Sequence, residues 1–215
     1  MIKAIIFDMD GVLISSMQYH VASWKQAFEK FNIPTEEKDL FYLLEGLSYK
    51  ETINFLAKKN NIDISEEDKL EIYKVKKEVL EHKFQINIYD GVMEILNYLK
   101  EKGLALAVVS GAHGEFVRNI TSTFFKDFFD IVVSGTDVEH GKPAPDPYLK
   151  AIKDLGIEKD EAIVIENAPI GITSGKSAGL KVFALETTLK KEYLQDADKV
   201  FKDHKELFSY LSQLF

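Results

Sequence analysis

The period of the hydrophobic positions changes twice along the chain. Ala4 to Phe7 is a short unbroken apolar run, which predicts a buried strand. From residue 18 to 31 the apolar residues Val21, Trp24, Ala27, Phe28 and Phe31 fall at helical spacing, and Asn32-Ile33-Pro34 predicts the stop. Residues 36–84 carry no strand pattern. Ser48, with Glu51 three residues later, predicts a capping box opening a helix faced by Ile53, Leu56 and Ala57. Ser65, with Asp68 in the first turn, predicts another, faced by Leu70, Tyr73 and Leu80. Residues 15–84 therefore read as a helical block.

From residue 91 onwards strand and helix patterns alternate. Val92, Ile95, Leu96 and Leu99 make a helix face that ends at Lys102-Gly103. Strands are predicted at 105–109, 131–133, 162–165 and 181–184. Between them lie helices starting near Gly114, over 146–155 before Gly156, and over 168–178 before Gly179. This alternation implies a parallel sheet with helices on both faces. The expected fold is α/β: a Rossmann-like parallel sheet core, residues 1–14 and 85–215, with an inserted helical cap, residues 15–84.

Composition narrows the function classes. The chain has 215 residues, 46% hydrophobic, enough for a sizeable core. Its net charge of −8 argues against broad nucleic-acid binding. It has no cysteine, which excludes disulfides and thiolate metal sites. The first apolar run is too short for a signal peptide, and no run approaches a membrane span, so the expected compartment is the cytoplasm.

Chemistry is expected where strands end, because ligands of open α/β sheets bind outside the carboxyl ends of the strands. The first strand ends at Asp8-Met9-Asp10-Gly11. Residues i and i+2 of a strand point to one side, and Gly11 permits a tight turn. Two close carboxylates repel unless a cation or a shared proton intervenes, and a hard ion such as Mg²⁺ suits oxygen ligands. The pair is thus a candidate metal site and a candidate nucleophile with its own acid/base. Taken alone it equally describes a plain turn. A calcium loop is excluded, since its required glycine and glutamate positions hold Leu13 and Tyr19. The second strand ends at Ser110-Gly111, and the third leads through Ser134-Gly135 to Gly141-Lys142-Pro143. The fourth ends at Glu166-Asn167. Polar residues at one strand end are common. Carboxylates, a hydroxyl, a lysine and an acid/amide pair at four successive ends point to one site.

These four motifs, in this order, resemble the haloacid dehalogenase-like superfamily, and the helical insert after the first strand resembles its β-phosphoglucomutase-like branch. The resemblance covers the whole chain and implies phosphoryl transfer through an aspartyl-phosphate. It implies Asp8 as nucleophile and Asp10 as acid/base. It implies Ser110, Gly111 and Lys142 as phosphate-binding groups, with Lys142 also stabilising charge in catalysis. A Mg²⁺ cofactor would be held among Asp8, Asp10, Glu166 and Asn167, and a cap would exclude bulk water. The partner it implies is a small phosphorylated metabolite, with no nucleic acid or membrane partner; oligomeric state is not legible. Cap candidates for substrate contact are His20, Ser48, Lys50 and Lys76. The chain departs from the pattern at three places. Asn167 stands where relatives carry Asp, and Ser15 where an acid is frequent. Tyr49 stands where the glucose-phosphate mutase carries an arginine that grips a second phosphate. Two functions follow: a Mg²⁺-dependent phosphatase, or alternatively a β-phosphoglucomutase using the same phospho-aspartate.

Other residues invite plainer readings. Gly175-Lys176-Ser177 lacks the glycine a P-loop needs at position 170, which is Ile170, and reads as part of a helix. His20 reads as a helix-surface residue and Trp24 as core. His82, His140 and His204 show no metal-ligand spacing.

Overall fold

A computed structural model describes residues 1–36, 39–40, 49–83 and 85–215, with the Lys83 side chain left aside. Six strands form one parallel sheet: β1 (Ala4–Phe7), β2 (Ala105–Val109), β3 (Ile131–Val133), β4 (Ala162–Glu166), β5 (Lys181–Leu185) and β6 (Lys199–Phe201). Their spatial order is β3-β2-β1-β4-β5-β6. Strand β1 is therefore central, with Phe7 in register with Val108 on one side and Ile165 on the other. The order reverses at β1, which opens a crevice beyond its carboxyl end.

The described α-helices are α1 (Met17–Lys30), α2 (Tyr49–Lys59), α3 (Glu66–Lys83), α4 (Val92–Glu101), α5 (Gly114–Phe124), α6 (Asp146–Leu155), α7 (Pro169–Ser177) and α8 (His204–Leu214). Alternation along β1 sorts the core into two layers. Ile5 and Phe7 join Leu106 and Val108 with α4, α5 and α8. Ala4 and Ile6 join Ala107 and Val109 with α6 and α7. Both faces are covered, which is why the strands read as continuous apolar runs.

Helices α1 to α3 enclose a separate cluster of Val21, Trp24, Ala27, Phe28, Ile53, Leu56 and Ile72. Trp24 is core there, stacked on Phe28. Ser65 caps α3 as expected, accepting from Asp68 N at 3.0 Å. The face of α3 differs from expectation. Leu70 is exposed, and Ile72 and Lys76 are buried, so the inward stripe contains a lysine that an apolar count skips. The capping role expected of Ser48 lies outside the described residues.

Strand β6 and helix α8 were not expected. β6 is a three-residue edge strand beginning with an exposed lysine, and so short a run carries no period. α8 was legible: Asp203 accepts from Glu206 N at 2.9 Å, and Leu207 and Leu211 are buried one turn apart. Gly175-Lys176-Ser177 is helical, and Lys176 pairs with Asp198 at 2.8 Å. No described helix is long and apolar enough to cross a membrane.

Candidate active site

Four strand ends bring their residues together at the crevice. The Asp8 amide still donates to Ile165 O at 2.9 Å, so its carboxylate leaves the sheet from a fixed backbone. Gly11 then turns the chain with φ 85°, and a Cβ there would lie 2.0 Å from Asn167 Nδ2. Only glycine allows this turn to pack against the β4 end.

Lys142 arrives from the loop between β3 and α6. Its buried ammonium donates to Asp8 Oδ1 at 2.6 Å, Glu166 Oε1 at 2.6 Å and Val109 O at 3.2 Å. All three of its donors are thereby used. Glu166 is fully engaged in turn: Oε1 also accepts from Tyr148 OH at 2.7 Å, and Oε2 accepts from Asn167 N at 3.0 Å. Gly171 makes room for this carboxylate, because a Cβ there would stand 1.8 Å from Oε1. Burial lowers the affinity of Lys142 for its proton, yet Asp8 and Glu166 outweigh it and hold the ammonium charged.

Asp10 faces the other side of the site. Ser16 Oγ donates to its Oδ1, and Ser110 Oγ lies 3.5 Å from Oδ2. Ser110 also accepts from Ala112 N at 3.1 Å, which orders the β2 end, and Gly111 beside it is exposed. From the cap, His20 Nε2 stands 3.8 Å from Asp10 Oδ1, and Lys76 Nζ stands 3.3 Å from His20 Nδ1. His20 is thus no surface histidine. It sits on α1, its side chain 18% exposed, beside Asp10. Burial and the neighbouring Lys76 charge hold it well below the usual histidine range, so it is neutral. A charged Lys76 must donate to Nδ1, which places the ring proton on Nε2, toward Asp10. Burial lowers Lys76 itself to about 8, with Asp10 opposing.

Lys50 goes elsewhere: it is exposed and pairs with Glu66 at 3.6 Å. Asn167 does not cap α7, whose N-cap is Ala168 without a side-chain cap bond. Its Nδ2 donates instead to Thr188 Oγ1 at 2.9 Å. Thr188 and Tyr148 were not singled out from the sequence. No spacing marks them, since each acts only through a neighbour brought close by folding.

The charge balance fits a divalent cation. Burial pushes Asp8 up to about 8, with Glu166 and Asp10 adding to the rise and Lys142 opposing it. Three carboxylates, Asp8, Glu166 and Asp10, thus act on one another around the single ammonium of Lys142. Among the described residues no three acid, histidine or cysteine side chains converge to form a metal cage. Asp8, the Asp10 carbonyl and the Asn167 amide are oxygen donors. This set suits a hard ion that keeps several waters and takes one or two carboxylates.

Sheet order, strand-end acids and the buried lysine define a hydrolase built on a doubly wound sheet. The chain belongs to the haloacid dehalogenase-like hydrolase family, whose pattern matches residues 5–185, and it is a phosphohydrolase of that family. It is 28% identical over 204 residues to the validoxylamine A 7'-phosphate phosphatase of Streptomyces hygroscopicus subsp. limoneus, covering 94% of each chain. It is 29% identical over 181 residues to the phosphorylated carbohydrates phosphatase of Thermotoga maritima, covering 83% of this chain and 82% of that one. Among solved structures it is similar to a Bacteroides vulgatus protein assigned as a beta-phosphoglucomutase. The TM-score there is 0.90 at 32% identity, covering 99% of this chain and 88% of that one.

Proposed function

We propose that this protein is a Mg²⁺-dependent phosphatase that hydrolyses a small phosphorylated metabolite, of the sugar phosphate class, through an aspartyl-phosphate on Asp8. The observation that carries this reading is the division of labour between two carboxylates. Asp8 is locked to Lys142 at 2.6 Å. Asp10 instead accepts from Ser16 and Ser110.

In the first step the Asp8 carboxylate attacks phosphorus and the ester P–O bond breaks. Asp10 gives its proton to the departing oxygen. Burial raises the Asp10 carboxyl above the usual carboxylate range, which favours a carrier that arrives protonated. In the second step Asp10 takes a proton from water, which attacks the same phosphorus and frees phosphate and Asp8. Lys142 stays charged throughout and offsets charge on the phosphoryl oxygens, with Ser110 and the Gly111 backbone beside it. Asp8, the Asp10 carbonyl and Asn167 would hold a Mg²⁺ ion, which would supply charge neutralisation at the phosphoryl group. Glu166 is assigned here to holding Lys142 rather than metal, since both its oxygens are engaged. His20 and Lys76 bring a dipole and a positive charge to Asp10 from the cap, so cap position and Asp10 are linked. The resemblance implies Ser48 as a cap contact, and Lys50, paired with Glu66, takes no part in the site.

The similar solved structure supports a second reading, β-phosphoglucomutase. A mutase must grip a second phosphate. Position 49 is a tyrosine stacked on Tyr73, with ring centroids 4.2 Å apart, and it offers no cation. Lys76 is already directed to His20 and Asp10. This favours hydrolysis of a monophosphate. A panel of phosphorylated metabolites assayed with Mg²⁺ for phosphate release, beside a coupled assay for glucose 6-phosphate formed from β-glucose 1-phosphate, separates the two. Release from sugar phosphates with little isomerisation supports the phosphatase. Fast isomerisation with little release overturns it.

A further inference from the structure

We infer that His204, in the carboxyl-terminal helix and outside the phosphoryl site, is a positioning residue that holds the catalytic turn at the root of the cap. The inference rests on the reading of Asp10 as the acid/base.

The chain crosses between core and cap twice, and the crossings lie side by side. Ile14 and Ile88 form an antiparallel bridge. Ser15 N donates to Asn87 O at 2.7 Å, and Tyr89 N donates to Leu13 O at 3.1 Å. The outgoing passage is a continuation of the catalytic turn. Gly11 N bonds Ile14 O at 2.9 Å, and Leu13 N bonds Met9 O at 2.9 Å. Whatever moves Val12 therefore moves Asp10 and Ser16 with it.

His204 holds both passages from behind. It is 5% exposed, and with Val12, Leu13, Val92 and Leu207 it lines a small cavity behind the turn. Its Nε2 lies 2.7 Å from Val12 O, a carbonyl that can only accept, so the ring donates. Its face stacks on Tyr89, with centroids 5.1 Å apart. Gly91, with φ 86°, passes its Cβ closely: a Cβ on Gly91 would stand 3.4 Å away. Asp203 caps α8 through Glu206 N, which fixes where the ring begins. Burial lowers the His204 affinity for a second proton, in keeping with a neutral donor. An apolar side chain would fill this space equally well. The imidazole adds one directional bond to the outgoing passage and one flat face to the returning one.

The test uses full-length His204→Gln, His204→Asn and His204→Phe, with Asp10→Asn alongside. The Gln amide nitrogen reaches where Nε2 stood, the Asn amide stops short, and Phe keeps only the ring. All are assayed with Mg²⁺ for kcat/KM on p-nitrophenyl phosphate and on an alkyl phosphate, with thermal melting. The aryl ester needs little help from an acid, whereas the alkyl ester needs Asp10 in register. His204→Gln is expected to stay within about threefold of the parent on both esters. His204→Asn and His204→Phe are expected to lose about ten- to hundredfold on the alkyl ester, and much less on the aryl ester. Equal losses on both esters, or no difference between Gln and Asn at matched stability, overturn the role of His204. The Gln and Asn pair keeps the comparison alive if the Phe variant does not fold. If Asp10→Asn itself loses equally on both esters, the acid/base reading fails and this inference falls with it. If Asp10→Asn is selective and the His204 variants are not, only this inference falls.

Discussion

Lys142 and Glu166 show how buried charge is tolerated beside Asp8, since all three ammonium donors and both Glu166 oxygens have partners. Asp8→Asn is expected to abolish turnover, because an amide is a poor nucleophile. It should leave thermal stability within about 1 kcal/mol, since the crowded acids lose one mutual repulsion as Lys142 loses one partner. Residual activity above a trace on the best substrate would remove Asp8 from its role. Lys76 presents the opposite case, a buried lysine beside a neutral histidine. Its folded pKa of about 8 lies below 10.5. Between those values the unfolded chain binds more protons, so stability rises with pH across that window. Lys76→Met should flatten that rise and stabilise the protein at neutral pH by about 1–2 kcal/mol. It should also weaken activity on alkyl esters and remove an alkaline limb near the same pH. Melting and rate profiles against pH check both. At this scale the core motifs were legible because adjacent residues carry them. His20 and Lys76 were named as cap candidates, but their contact was not legible, since they are 56 residues apart and meet only when α1 and α3 pack.

Helix α7 supports the site through an absent side chain. Gly171→Ala gains about 1 kcal/mol in helix propensity, yet its Cβ would drive into the Glu166 carboxyl at 1.8 Å. That carboxyl is pinned by Lys142, Tyr148 and the Asn167 amide and has no easy retreat. The clash wins: the variant should melt lower and turn over at least about tenfold more slowly. A stabilised, fully active variant would show that Glu166 is not needed where it stands. Elements were legible wherever burial imposed one clear period. The strands β1 and β2 are apolar throughout, and β4 is apolar up to Glu166, because both sheet faces are covered. The inward face of α3 was misread because Lys76 occupies a buried position that apolar residues normally fill. β6 went unseen because a three-residue edge strand shows no repeat. For α8 the cap and the Leu207–Leu211 spacing were available, so its omission had no physical cause.

Across the whole molecule, the sheet and the helices α1 to α3 meet at Asp10, which receives Ser110 from the end of β2 and Ser16 and His20 from the start of α1. The proposed Mg²⁺ would also join strand ends. Asn167 offers it an oxygen without a charge, so Asn167→Asp should lower the half-saturating Mg²⁺ by about three- to tenfold, with melting unchanged within a few degrees. An unchanged Mg²⁺ dependence in a fully active variant would remove Asn167 from any metal role. The central claim, a phosphoryl group held covalently on Asp8 and released with help from Asp10, is tested most directly by stopped-flow assay of Asp10→Asn with p-nitrophenyl phosphate and Mg²⁺. A good leaving group departs without an acid, whereas hydrolysis of the intermediate still needs the missing base. The account predicts a burst of p-nitrophenol of about one equivalent per site, followed by slow turnover, with no burst in Asp8→Asn. Release of p-nitrophenol and phosphate together, without a burst, would contradict it.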